Sequence, residues 1–200
     1  MARFYLIIVL AVIGIHAAEA ASFNGYSISL GMEYNPIAKL DYENDSQIDL
    51  DVVDNITWEP GVYFSHPNGF RVGVIFAYYG KTIDRGDTRI AELSSWGVGV
   101  LGDYGYDMTE SGKTFLVGGM EAGYGELTDK NEFAERTRGG VWIAGLGGIR
   151  YYFSRALSME MDFRIKFLRY DFTEVPLKSY DFSGPTIRIT LGYGIYSSKS

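Results

Sequence analysis

The sequence predicts an all-β fold, an eight-stranded antiparallel up-and-down transmembrane β-barrel. Three observations carry that expectation. Short segments alternate apolar and polar residues with period two, the signature of strands with one greasy and one polar face. The connections between them alternate long and short along the whole chain, as a barrel with tight turns at one end and longer loops at the other requires. Aromatic residues gather at both ends of the segments, with Ile, Leu, Val, Met and Phe between them, which is the arrangement of two interfacial girdles around a lipid belt.

The first 20 residues stand apart from that pattern. Arg3 provides a basic start, residues 4–15 form an apolar run, and Ala18-Glu19-Ala20 supplies small residues at a cleavage point. This is the make-up of a secretory signal peptide over residues 1–20, leaving 21–200 as one barrel domain. The run falls short of the roughly 20 residues that a spanning helix needs. With no cysteine in the chain, neither a lipid-modified anchor nor a disulfide framework is available. Beyond the signal the one histidine is His66.

The segments then follow in order. Residues 26–34 place Tyr26, Ile28, Leu30, Met32 and Tyr34 on one face and Glu33 on the other. An acidic connection over 35–55 leads to 56–65, where Trp58, Val62 and Phe64 oppose Thr57, Glu59 and Gly61. Pro60 cannot donate to a ladder, so a bulge is expected there. The turn His66-Pro67-Asn68-Gly69 returns into 70–79, with Phe70, Val72, Val74, Phe76 and Tyr78 outward and Arg71 inward. A polar loop over 81–92 precedes 93–106, which sets Trp96, Val98, Val100, Tyr104 and Tyr106 against Asp103 and three glycines. After a short turn, 114–125 carries Leu116, Met120, Ala122 and Tyr124 opposite Glu121, although Gly118 and Gly119 blur its phase.

A third long loop, 126–139, is followed by 141–153, with Val141, Ile143, Ile149, Tyr151 and Phe153 outward and Arg150 inward; the same phase turns Trp142 and Leu146 inward. Residues 157–167 give the clearest strand of all. Leu157, Met159, Met161, Phe163, Ile165 and Phe167 share one face; Ser158, Glu160, Asp162, Arg164 and Lys166 share the other. The loop 170–184 leads to the last strand, 186–196, with Tyr193 outward and Arg188 inward.

Two residue sets follow from this reading. The girdles comprise Tyr26, Phe64, Phe70, Tyr104, Tyr106, Tyr151, Phe153 and Tyr193 on one side, and Tyr34, Trp58, Tyr78, Trp96, Tyr124 and Phe167 on the other. The lumen receives six acids, Glu33, Glu59, Asp103, Glu121, Glu160 and Asp162, and five bases, Arg71, Arg150, Arg164, Lys166 and Arg188. Eight strands enclose space only for side chains. Those charges must therefore pair, because an unpaired buried charge costs several kcal/mol. The competing reading is a water-soluble lipocalin-like sheet with the same charges solvated, and it gives no reason for the alternating connection lengths.

The pattern resembles the small eight-stranded outer-membrane barrels of Gram-negative bacteria, the OmpX, Opa and OmpA transmembrane-domain type. The resemblance spans residues 21–200, and Thr190-Leu191-Gly192-Tyr193-Gly194-Ile195 looks like the closing-strand signal of that family. Here the chain departs from the usual ending, since Ser197-Ser198-Lys199-Ser200 follows Tyr196. The resemblance implies an outer-membrane location with both termini periplasmic. It implies outer-membrane lipid and lipopolysaccharide as surroundings, the barrel assembly machinery as a partner during insertion, and an extracellular partner reached through the loops.

The functional expectation is a non-enzymatic barrel with an ion-pair-filled lumen that serves envelope structure or surface adhesion. The alternatives are a narrow channel for ions or small solutes, and a lipid A-modifying enzyme. Catalysis of that kind needs a base beside a nucleophile near the outer leaflet. His66 instead falls in a turn on the periplasmic side. The pairs Glu33/Glu59 and Glu160/Asp162 sit beside too many cations to act as acid and base. No phosphate loop, metal-ligand cluster or other cofactor signature is present. A net charge of −7 without a basic stripe excludes nucleic acid as a partner. The acidic carboxylates of 35–55 lack the spacing of a calcium loop, and Arg85-Gly86-Asp87 spells an adhesion tripeptide too short to argue from.

Overall fold

Within a membrane, alternation over so many residues has one stable solution: polar faces turned inward and apolar faces outward around a closed sheet. A computed structural model of the chain has this form and describes residues 25–35, 39–42, 56–66, 69–85, 88–109, 113–130, 135–154, 156–172 and 178–196. Its strands are β1 (Gly25–Tyr34), β2 (Lys39–Tyr42), β3 (Ile56–Ser65), β4 (Phe70–Arg85), β5 (Thr88–Asp107), β6 (Thr114–Lys130), β7 (Glu135–Tyr152), β8 (Leu157–Phe172), β9 (Lys178–Asp181) and β10 (Gly184–Tyr196). Neighbours pair antiparallel in chain order, and β10 pairs with both β8 and β1, which closes a barrel of eight long strands. The signal-peptide reading over 1–20 lies outside the described residues.

The outer face of the barrel is apolar. Ile28, Leu30, Phe76, Met120, Phe163, Ile165 and Leu191 are exposed, as are all the girdle aromatics except Tyr124. Tyr124 is half-buried, with its ring packed against the backbone of Gly139. Alternation survives the two glycines of β6: Val117 is buried, Gly118 exposed, and the ladders to β5 and β7 run unbroken through both. Trp142 and Leu146 point inward.

Two expectations need correction. Pro60 makes no bulge, because the β3–β4 register is the same on either side of it and its ring points outward. The expected polar loops are also largely strand. β4 and β5 run on to a pairing of Arg85 with Thr88, and β6 and β7 run on to a pairing of Lys130 with Glu135. Beyond Arg169, β8 pairs with β9, which pairs in turn with β2 from the acidic connection. The physical reason is that water on the outside reverses what composition means. There, Glu92, Thr128 and Lys130 are ordinary outer residues of a half-buried sheet, while Leu93, Leu127, Tyr170 and Phe172 keep the inward phase.

The opposite end has tight turns. Gly69 adopts a φ of 95°, and an added Cβ would strike the carbonyl of Gly105, so glycine is required there. Its N–H donates to the His66 carbonyl at 3.0 Å. No helix among the described residues is long and apolar enough to cross a membrane.

Candidate functional site

The inward phase of eight strands brings all eleven lumen charges together, each no more than 7 % exposed. Register accounts for the nearest partners. Arg71 lies opposite Asp103 on the β4–β5 ladder, Arg150 opposite Glu160 on β7–β8, and Arg188 between Asp162 on β8 and Glu33 on β1.

Two groups result. In the first, Arg71 Nε donates to Asp103 Oδ2 at 2.7 Å and Arg150 Nε donates to Glu160 Oε2 at 2.6 Å. Two further bonds cross the lumen, Arg71 Nη2 to Glu160 Oε1 at 3.0 Å and Arg150 Nη2 to Asp103 Oδ1 at 2.8 Å. The four side chains form a closed ring of alternating sign. Arg71 also lies over the Tyr63 ring, 4.4 Å from its centroid.

The second group centres on Arg164, which is completely buried. Its guanidinium meets four carboxylates: Glu33 at 2.7 Å, Asp162 at 2.9 Å, and Glu59 and Glu121 at 3.0 Å each. Lys166 Nζ reaches Glu33 at 2.8 Å. Arg188 donates to Asp162 at 2.8 Å and ties the groups together through Glu160 at 3.3 Å. The indole N–H of Trp142 donates to Glu121 Oε1 at 2.6 Å. That indole lies on Gly97, Gly99 and Gly123, where an added Cβ would collide with the ring. The glycines are thus a seat for the largest side chain of the lumen.

Apolar packing flanks the network. Tyr63, Ile75, Leu101, Val117 and Leu146 form a buried cluster beside the charges, joined by Phe115. At the long-connection end Tyr79, Leu93 and Leu127 from one half of the extended wall meet Tyr170, Phe172 and Tyr180 from the other in a second buried cluster. Tyr180 donates to Asp129 at 2.9 Å. Between mouth and network is a cavity of about 40 Å³, lined by Glu33, Lys166, Trp142, Tyr79, Tyr170 and Phe182 among others. A cavity of that size has room for two or three waters.

Sequence reasoning missed the apolar fillers. Tyr63, Ile75 and Leu101 share the inward phase of Glu59, Arg71 and Asp103, but their apolar side chains do not mark a polar inward face. Phase alone could have found them. His66 sits half-buried in its turn, away from the network. Arg85 pairs across the β4–β5 tip with Thr88; Gly86 and Asp87 lie outside the described residues. The acidic connection is described only at Asn35 and over Lys39–Tyr42.

Several solved structures share this fold. The chain superposes on OprG of Pseudomonas aeruginosa with a TM-score of 0.57 at 13 % identity, covering 88 % of this chain and 98 % of that one. Neisserial surface protein A gives 0.54 at 11 % identity, covering 87 % and 97 %. Ail, the attachment invasion locus protein of Yersinia pestis, gives 0.51 at 13 % identity, covering 86 % and 99 %. At such identities the likeness is one of fold. No curated protein matches the chain. The family model for the outer membrane protein beta-barrel domain matches residues 5–194, nearly the whole sequence. Closed topology, lipid-type outer face and family match agree, and the chain belongs to the outer-membrane β-barrel family and resides in the outer membrane.

Proposed function

We propose that this protein is a non-enzymatic barrel with a closed lumen, which acts through the strand extensions and connections it holds above the membrane. The observation that carries this reading is the double filling of the lumen. Among the described residues a layer of paired charges is followed by an apolar cluster toward the mouth, and both occupy the space a solute path would need. Closure turns the interior into a scaffold, and the surface left for partners is the outside of the extended hairpins. Envelope support and adhesion to an extracellular partner are the roles such a surface serves. Lipopolysaccharide surrounds it, and the assembly machinery delivers it.

This reading orients the short turns and both termini to the periplasm and the β4–β5 and β6–β7 hairpins outward. The lumen carboxylates act as counter-ions, each held by arginine or lysine. An epitope inserted between Gly86 and Asp87 tests the orientation: antibody binding to intact cells is expected. Labelling that requires permeabilised cells would reverse the orientation and remove the proposed binding surface.

A further inference from the structure

The cavity between the mouth and the charge network has two kinds of wall. One part carries the Glu33–Lys166 ion pair, with both side chains buried. The rest is apolar: the Trp142 indole, the rings of Tyr79, Tyr170 and Phe182, and Leu168.

Hydrogen-bond donors are in surplus there. An ammonium has three N–H groups. Among the described residues Lys166 Nζ has one acceptor, Glu33 Oε1 at 2.8 Å, and the Trp142 ring centroid lies 5.7 Å from the same nitrogen. Tyr79 is 6 % exposed, its ring meets Phe182 edge-on, and its hydroxyl has no hydrogen-bond partner among the described residues. The Tyr170 hydroxyl and Ser95 Oγ share only a long contact of 3.4 Å. Donors buried without an acceptor cost free energy, so the cavity suits a guest with an acceptor atom. Glu33 has the opposite capacity to spare. Its two oxygens accept one bond each, from Lys166 and Arg164, where a carboxylate has about four lone-pair sites.

Charge narrows the guest further. The groups around Arg164 set four acids, Glu33, Glu59, Glu121 and Asp162, against three bases, Arg164, Lys166 and Arg188. A further anion would add to that excess, and a cation would meet the Lys166 ammonium. An uncharged molecule with an acceptor and a donor on one short frame avoids both. Water has both groups, but against the Trp142 and Phe182 rings it lacks partners, and an apolar group that displaces it there gains affinity. Room for two or three waters corresponds to a guest of about three or four heavy atoms.

We propose that this cavity binds a small uncharged amide. Its carbonyl oxygen accepts from Lys166 Nζ and the Tyr79 hydroxyl, its N–H donates to Glu33, and its carbon end packs on Trp142 and Phe182. The pocket ends at the charge layer, so the guest enters and leaves on the mouth side and the lumen stays closed to passage.

Acetamide, acetate and acetamidinium share one shape and differ in charge, so together they test the pocket. The readout is the indole ¹⁵N–H resonance of Trp142 in the refolded protein, with that of the outward Trp58 as reference. Acetamide is expected to shift the Trp142 signal saturably, with acetate and acetamidinium weaker by about tenfold or more. Tyr79→Phe removes a hydroxyl and no existing hydrogen bond, so it should keep the fold and weaken acetamide by about three- to tenfold. Lys166→Met should abolish the shift; if that variant fails to fold, Tyr79→Phe carries the test. A wild type without a saturable shift would hold water only, and would overturn the proposal. Acetate or acetamidinium binding as tightly as acetamide, or Tyr79→Phe binding like wild type, would overturn it equally.

Discussion

The middle of the lumen and its mouth are both filled, by opposite chemistry. In the middle, one guanidinium lies within 3.0 Å of four carboxylates. At the mouth, Leu93 and Leu127 pack with aromatic rings, Phe172 and Tyr180 meeting edge-on at 5.7 Å between centroids. The ionic layer depends on partner identity, because removing one member leaves the others buried and unpaired. The apolar mouth depends on volume, because its atoms gain by contact and lose little by exchange for others of similar size. The same inward phase serves both. What changes is the outside, from lipid around the network to water around the mouth.

That contrast can be broken from either side. Arg164→Ala has the largest expected effect, since it leaves four carboxylates facing one another. It should destabilise the barrel by about 3–5 kcal/mol, read from the urea midpoint in detergent. Leu127→Ala opens a hole in the mouth and should cost about 2–5 kcal/mol locally. The expected readout is faster proteolysis of the β6–β7 extension, with the heat-dependent gel shift of the closed barrel retained. A global collapse would show that the mouth supports the whole fold.

Gly123→Ala drives a methyl group into the Trp142 ring. It should cost about 1–3 kcal/mol and shift the tryptophan emission as the indole tilts away from Glu121. Arg169→Ala sharpens the comparison from the other end. Its bond to Asp171 lies in water, with the two side chains 54 % and 64 % exposed, so the midpoint should stay within about 0.5 kcal/mol of wild type.

Most of the barrel was legible because lipid makes a strict demand. Leu157 to Phe167 alternate without a break, as a strand with one lipid face must, and the lumen charges follow from the opposite phase. Cross-strand pairs such as Arg71 with Asp103 are then a matter of register. The contacts across the lumen were not legible: Arg71 meets Glu160 and Arg164 meets Glu33 because the sheet curves shut, and no local pattern encodes that closure. The extensions were misread as loops for a related reason. Once strands leave lipid, their outer residues become Glu, Thr and Lys, and polarity stops separating strand from loop. The inward residues Leu93, Leu127 and Tyr170 still carried the signal.

The closed lumen is the central claim, and single-channel recording of the refolded wild-type protein in a planar bilayer tests it most directly. The account predicts a silent membrane, with neither the Arg164 layer nor the Tyr79–Tyr180 mouth opening at moderate voltage. Steady, reproducible open levels would contradict it and make the interior a conducting path.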